Sequence, residues 1–346
     1  MDKKKNLKIV SIVSLILVFA IGIYVYSKIF ANNTKFSEKE FYVKIPSNSS
    51  YEQAKQIISP FVKNMNDFEF VANKRSYPSN VKSGRFLFKK GMGSFALVTA
   101  LRHNVPVKLA FNNQERLEDF AGRVSSQIEA DSLSLMKVFK DSTFLKENGF
   151  TDENVFAMFI PNTYEMYWNT SAEKFRDKMI KEYQKFWTKE RIAQAQENNL
   201  TPVQATILAS IVHKESVKKD ERPKIAAVYL NRLKIEMPLQ ADPTIIYAVK
   251  KQSNDFTRVI KRVIPQDLQI NSPYNTYVHL GLPPAPIAMP DITALEAVLK
   301  PDKNEYLFFC ASVEHFGYHE FAKTFAEHVV IANKYRDWIN NQGVKR

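Results

Sequence analysis

Glu215 is the residue in this sequence best placed to do chemistry. It closes the run TPVQATILASIVHKES (201–216), where a helix face is otherwise apolar. Thr201 can N-cap that helix, Pro202 suits its first turn, and Gln204 stands three residues after the cap, as in a capping box. Ile207, Leu208, Ile211 and Val212 then recur at helical spacing. Glu215 lies four residues beyond Ile211 and three beyond Val212, so it extends the apolar stripe. A half-buried carboxyl keeps its proton toward neutral pH, as a general acid must. The plainer alternative is a helix-end glutamate whose long side chain turns to solvent.

Other reactive groups carry less. His315 and His319 are four apart, but they flank a hairpin turn expected at Gly317, so they share no helical face for a metal. No G-x-S-x-G elbow is present for a serine hydrolase. Cys310, the one cysteine, sits in the apolar run YLFFCAS and reads as a buried strand residue; alone it permits no intramolecular disulfide. Asp220 and Glu221 precede Pro223 and read as the start of a helix, where negative charge suits the dipole. A direct role for Glu221 is the alternative.

The elements that must position these residues follow from pattern. FYVKIP alternates as a strand, 51–62 has helical spacing, and 68–72 reads as a short helix. SGRFLFKKGMGS is a strand with glycine turns, followed by the helical FALVTALR and the strand VPVKLAF. Helices are expected from about Gln114 and over 130–140. The aromatic stretch 155–168 is either a buried strand and turn or the wall of a sugar-stacking cleft, and composition favours the first. One long amphipathic helix is expected over 172–193. After the Glu215 helix, Pro223 opens another over 225–233, and Asp242–Pro243 makes a turn. The loop 272–290 carries five of the 16 prolines, a stiffness that suggests a site. A hairpin (306–312 with 318–321) and a helix from about Thr324 end the chain.

At 346 residues and 39.9 kDa the chain is long enough for two domains, and 45% hydrophobic content excludes a disordered chain. The net charge of +13 favours an anionic environment, but the lysines are scattered with no arginine block or stacking motif. A generic basic surface fits better than nucleic-acid binding. Residues 9–26, IVSIVSLILVFAIGIYVY, hold no charge and end in interfacial tyrosines. They exceed a usual signal-peptide core, and no convincing A-x-A site follows. The expectation is a tail 1–8 in the cytoplasm, a single-pass anchor 9–30, and the remainder outside the cytoplasmic membrane.

The segments LASIVHKES, ERPKIAAVYLNRL, LQADPTIIY, SPYNTY, GLPPAPI and HEFAKTFAEH stand in an order and spacing that resemble the MltG/YceG-like family of membrane-anchored endolytic murein transglycosylases. FIPNTY is similar to that family's PDTY element, and SGRFLFKKGMGSFALVTAL resembles its LysM-like subdomain. The resemblance implies an α+β fold: a transmembrane helix, a small LysM-like α/β subdomain over 41–104 and a larger α+β catalytic domain over 105–346. It implies cleavage between N-acetylmuramic acid and N-acetylglucosamine inside nascent peptidoglycan strands, leaving 1,6-anhydromuramyl ends and ending glycan elongation. It needs no cofactor or metal, and it implies association with peptidoglycan synthases in the membrane.

In the family's EKE[TS] motif the catalytic glutamate falls on Glu215. Gln240, Asp242, Tyr274, Asn275, Tyr277 and His319 are the expected substrate-binding residues, with capping or turn formation as their plainer alternative. His213 replaces the motif's first glutamate, Asn162 the PDTY aspartate and Ala285 the glycine after the paired prolines. Each departure bears on local geometry rather than on the acid. A membrane-anchored wall-binding scaffold is the non-enzyme alternative, disfavoured because a binder has no need of a carboxyl on an apolar face.

Overall fold

In the computed structural model, which describes residues 3–341, the chain divides into two units. The first takes Met1–Leu109, Ser126–Ala130 and Tyr164–Ser171; the second takes Ala110–Ser125, Asp131–Thr163 and Ala172–Arg346.

The first unit begins with α1 (Lys3–Phe30), whose stretch Asn6–Phe30 is long and apolar enough to cross a membrane. Leu15 and Phe19 on it are 75% and 70% exposed, so no protein core accounts for their apolarity. Then come β1 (Glu40–Ile45), α2 (Tyr51–Ile58), α3 (Met65–Lys74), β2 (Gly84–Lys89), α4 (Ser94–Ala100) and β3 (Val107–Phe111). β1 and β2 pair antiparallel with Val43 opposite Phe86, and the alternation sends Val43, Ile45, Phe86 and Phe88 into one core. Ala54 and Ile58 of α2, Phe68 and Val71 of α3, and Leu97 of α4 complete that core. α3 is longer than the five residues expected, because Asn64 caps it by accepting from Asp67 N. The cap lies upstream of the apolar run and so leaves no trace in its periodicity.

The second unit holds α5 (Leu117–Ser125), α6 (Ser132–Phe139), α7 (Ser142–Glu147), the helices that follow β4 (Asn162–Met166), and the terminal hairpin. Those helices are α8 (Ala172–Phe186), α9 (Lys189–Glu197), α10 (Pro202–Glu215), α11 (Arg222–Lys234), α12 (Asp242–Ser253) and α13 (Ile292–Leu299). β5 (Phe308–Ala311), β6 (His319–Ala322) and α14 (Phe325–Asn341) close the chain. β3 pairs with β4, and β5 pairs antiparallel with β6, so the sheets are small and the fold is a helix-rich α/β mixture.

Two expectations change and a third holds. The helix expected over 172–193 is two, because Thr188 N-caps a new one by accepting from Arg191 N while Trp187 is buried at the break. Asp242–Pro243 is the first turn of α12 rather than a separate turn, since proline's fixed φ suits a helix start as well. The aromatic stretch 155–168 is mainly core, with Phe159 packed 4.5 Å from Phe120 and 4.8 Å from Phe139.

α10 is the pillar of the second unit. The capping box at its start is formed: Thr201 Oγ1 accepts from Gln204 N at 3.2 Å, and Gln204 Oε1 accepts from Thr201 N at 2.9 Å. Every residue from Ala205 to Val212 is buried, so the helix has no solvent face along that stretch. It packs against α9, α11, α12 and α13. The polar residues inside it are satisfied locally, Thr206 donating to Pro202 O and Ser210 to Ile207 O. A helix gripped on all sides fixes the direction of whatever its last residue carries.

Candidate active site

The last residue of α10 is Glu215, half-buried where the pillar reaches the surface of the second unit. Ser216 stops the helix by turning extended (φ −138°, ψ 133°). The following loop is then pinned. Ser216 Oγ donates to Glu221 at 3.2 Å and accepts from Lys218 N at 3.1 Å, while Arg222 Nε donates to Ser216 O at 3.0 Å. Arg222 is itself buried and reaches both oxygens of Asp291 at 2.7 and 2.8 Å. His213 joins this brace, its Nδ1 lying 3.5 Å from Asp291. Burial would raise the Asp291 carboxyl, but bonds from His213 and Arg222 outweigh it and hold it far below the usual range. The residue that departs from the family motif thus contacts Asp291, at the N-terminus of α13.

Glu215 faces α11. Tyr229, buried in that helix, donates its hydroxyl to Glu215 Oε1 at 2.5 Å. Oε2 has no hydrogen-bond partner among the described residues. Burial pushes the Glu215 carboxyl up to about 7; the Tyr229 bond opposes this, the charge of Asp242 adds to it, and those of His319 and Arg232 oppose it. A carboxyl that is half protonated near neutral pH can both give and take a proton there. Arg232 is committed elsewhere, its guanidinium donating to Leu307 O and Leu239 O, both at 2.6 Å.

Asp242 opens α12 and accepts from the Tyr277 hydroxyl at 2.6 Å. Protein packed around Asp242 raises its carboxyl, and the Tyr277 bond opposes that rise. Gln240 adopts a left-handed backbone (φ 50°), and its N–H donates to Thr276 O at 3.0 Å, leaving its side chain exposed. Ala241 N donates to Thr276 Oγ1, so the 240–242 turn and the 274–277 segment form one backbone-tied edge.

His319 sits at the start of β6. Its backbone N–H donates to Glu221 Oε1 at 2.6 Å and its Nδ1 meets Glu221 Oε2 at 2.8 Å. Glu221 does stand at the start of α11, as the sequence suggests, but its carboxylate is spent on His319. It precedes α11 without a side-chain cap bond, and its buried carboxyl anchors the histidine. With Nδ1 engaged by the carboxylate, Nε2 is the ring nitrogen left for another partner.

The structure thus brings Glu215, Gln240, Asp242, Tyr277 and His319 to one end of α10. Asn275 and Tyr274 serve differently. Asn275 is fully buried, its amide donating to Leu268 O and Ile270 O at 2.9 Å each and its Oδ1 accepting from Tyr277 N. It shapes the loop that presents Tyr277. Tyr274 is buried against Tyr247 and accepts from Lys251 Nζ at 3.3 Å, beside a different cleft. Ala285 lines that same cleft, and Asn162 is exposed on β4.

Tyr229, the direct partner of Glu215, is the residue that sequence reasoning missed. It reads as core there, and only the crossing of α10 and α11 reveals its hydroxyl's target. A cleft of about 1220 Å³ lies beside Thr201 and Gln204 at the N-terminal end of α10. Fourteen residues of helix, roughly 20 Å, separate it from the carboxyl. No three His, Cys, Asp or Glu side chains among the described residues converge as a metal site.

Comparison with known proteins gives consistent relatives. Residues 43–334 match the family model described as the YceG-like family. The chain is 30% identical over 335 residues to an endolytic murein transglycosylase of Bacillus subtilis, an alignment covering 91% of this chain and 90% of that protein. It is 28% identical over 310 residues to one from Streptococcus pneumoniae, covering 80% of this chain and 55% of that longer protein. Among solved structures, a YceG-like protein of Listeria monocytogenes superposes with a TM-score of 0.55 at 26% identity, over 85% of this chain and 99% of that one.

Proposed function

The chain belongs to the YceG-like family, and on that premise we propose that it is an endolytic lytic transglycosylase of peptidoglycan with Glu215 as its acid and base. The observation that carries this reading is the protonatable Glu215 carboxyl at the end of a buried helix, raised to about 7 by burial. Ordinary glycosidases divide the work between two carboxyl groups. Here the muramyl residue supplies its own nucleophile, so one carboxyl suffices.

Glu215 gives its proton to the glycosidic oxygen between N-acetylmuramic acid and N-acetylglucosamine as the C1–O bond breaks. The resulting carboxylate takes the proton of the muramyl 6-hydroxyl as that oxygen bonds to C1, which regenerates the acid and closes the 1,6-anhydro ring. Oε2 carries the proton, because Oε1 is held by Tyr229. Such transfer contributes roughly 10²–10⁴-fold, and positioning and charge stabilisation supply the rest. Asp242 stabilises the oxocarbenium character that develops at C1, oriented by Tyr277. Gln240 and His319 contact the glycan, while Tyr274 and Asn275 hold the loop that frames the groove.

The apolar α1 anchors the protein in the bacterial cytoplasmic membrane, with residues 1–8 inside and the catalytic unit outside. There it meets nascent strands and the membrane synthases that make them, and its cuts end elongation. The β1–α2–α3–β2 order supports a LysM-like subdomain over 41–104 that holds glycan, and the catalytic domain is 105–346.

The test uses the full chain in detergent on purified peptidoglycan, with mass spectrometry of the new ends. Anhydromuramyl ends are expected from the wild type and none above background from Glu215→Gln. Equal products from both proteins would overturn the assignment.

A further inference from the structure

A second cleft, about 700 Å³, opens along the C-terminal half of α12 in the second unit, and the chemistry above makes no use of it. Its apolar side is the ring pair Tyr247–Tyr274, 4.8 Å between centroids, with Phe256 edge-on to Tyr247 at 5.6 Å. Lys251 Nζ stands 4.4 Å from the centre of the Tyr274 ring. Glu118 and Glu153 also line the cleft, both exposed, so cationic and anionic groups face one apolar shelf.

A smaller cavity shares walls with this cleft and with the chain neighbours of Glu215 and Asp242. Its volume is about 180 Å³, and it is lined by Lys214, adjacent to Glu215 in sequence, and by Pro243, adjacent to Asp242. It shares Glu115 and Tyr247 with the larger cleft. Glu115 ties the two walls together, accepting from Lys214 at 2.5 Å and Lys250 at 3.0 Å.

We propose that this cleft receives the peptide stem of the muramyl residue at the cleavage point. The proposal rests on the reading of murein as substrate. An enzyme cutting inside a strand meets muramyl residues whose lactyl groups carry short peptides, and each peptide needs a path away from the sugar. The stem bears carboxylates and a diamino acid amine. Lys251 matches the former, Glu118 and Glu153 the latter, and the tyrosine shelf the aliphatic portions. Glu115 and Asp152 line the cleft as well, alongside Arg116 and Lys140, so charges of both signs meet there; a polyanion would use only one sign and an uncharged sugar neither. Length agrees as well. Nine residues of α12 separate Asp242 from Lys251, about 13–14 Å. An extended peptide of four residues spans about 13–14 Å.

The experiment compares two substrates for the full chain in detergent: uncrosslinked murein strands with intact stems, and the same strands stripped of stems by an amidase. The wild type is expected to cut stem-bearing strands with about tenfold higher kcat/KM, the product of two or three exposed charge contacts of modest strength. Lys251→Glu and Glu153→Lys, both surface changes, are each expected to lower kcat/KM about fivefold on stem-bearing strands and to leave stripped strands unaffected. Wild-type activity that is equal on the two substrates, or greater on the stripped one, would overturn the stem site while leaving the transglycosylase reading intact. So would variants that lose both activities alike or neither. A wild type that cuts neither substrate would overturn the murein reading and this proposal with it.

Discussion

Tyr229 donates its hydroxyl to Glu215 Oε1 from the facing helix, so the carboxyl at the end of α10 is held by a residue buried in α11. The bond favours the ionised form of Glu215 and works against the burial that raises it. Tyr229→Phe keeps the ring's packing and removes only this bond. The Glu215 carboxyl should then titrate higher, moving the alkaline limb of the pH–rate profile upward from near 7. Activity at neutral pH is expected to fall about 3- to 10-fold, the worth of one such hydrogen bond. An unmoved limb would show that the Tyr229 hydroxyl does not set the protonation of Glu215.

Asp242→Asn should move the same limb the other way. The Asp242 charge raises the Glu215 carboxyl, so removing it lets Glu215 ionise at lower pH. Asparagine can still accept from Tyr277, which keeps the local geometry. Opposite displacements in these two variants, read from kcat/KM against pH, are the expected result. The same displacement in both would show that the limb belongs to another group.

The raised carboxyl also costs stability. Between pH 4.5 and about 7 the unfolded chain ionises at Glu215 while the folded one keeps its proton, so stability falls as pH rises through that window and is level above it. The full cost is at most about 3 kcal/mol, less whatever solvent screens at the partly open edge. Glu215→Gln removes it. The variant's melting temperature should therefore gain on the wild type between pH 5 and 8, and a pH-independent difference would contradict this.

The brace behind the site is a separate matter of folding. Arg222 is buried and its charge is met by Asp291. Asp291→Ala leaves that guanidinium uncompensated, and a loss of about 3–5 kcal/mol is expected by denaturant unfolding. A change under about 1 kcal/mol would show that water takes the carboxylate's place.

Much of this arrangement is visible in the sequence because it is local. Thr201 and Gln204 form the capping box their spacing suggests, and Glu215 follows Ile211 and Val212 on the helix as periodicity requires. What the sequence hides is which helix faces which. Tyr229 looks like any core aromatic until α11 is laid across α10, and Glu221 looks like a helix-start acid until β6 brings His319 to it. The 272–290 loop has no period to read, so nothing in its letters separates Tyr277, which reaches Asp242, from Asn275, whose amide is spent on Leu268 and Ile270. The break after Phe186 is hidden for a similar reason, since a threonine cap inside an amphipathic pattern looks like one more polar residue.

The central claim is that one carboxyl suffices because the muramyl 6-hydroxyl, not water, attacks C1. Cleavage of peptidoglycan by the full-length protein in ¹⁸O-labelled water, followed by mass spectrometry of the new muramyl ends, tests it most directly. The account requires anhydro ends free of solvent oxygen. Reducing ends carrying ¹⁸O would contradict it and make water the nucleophile.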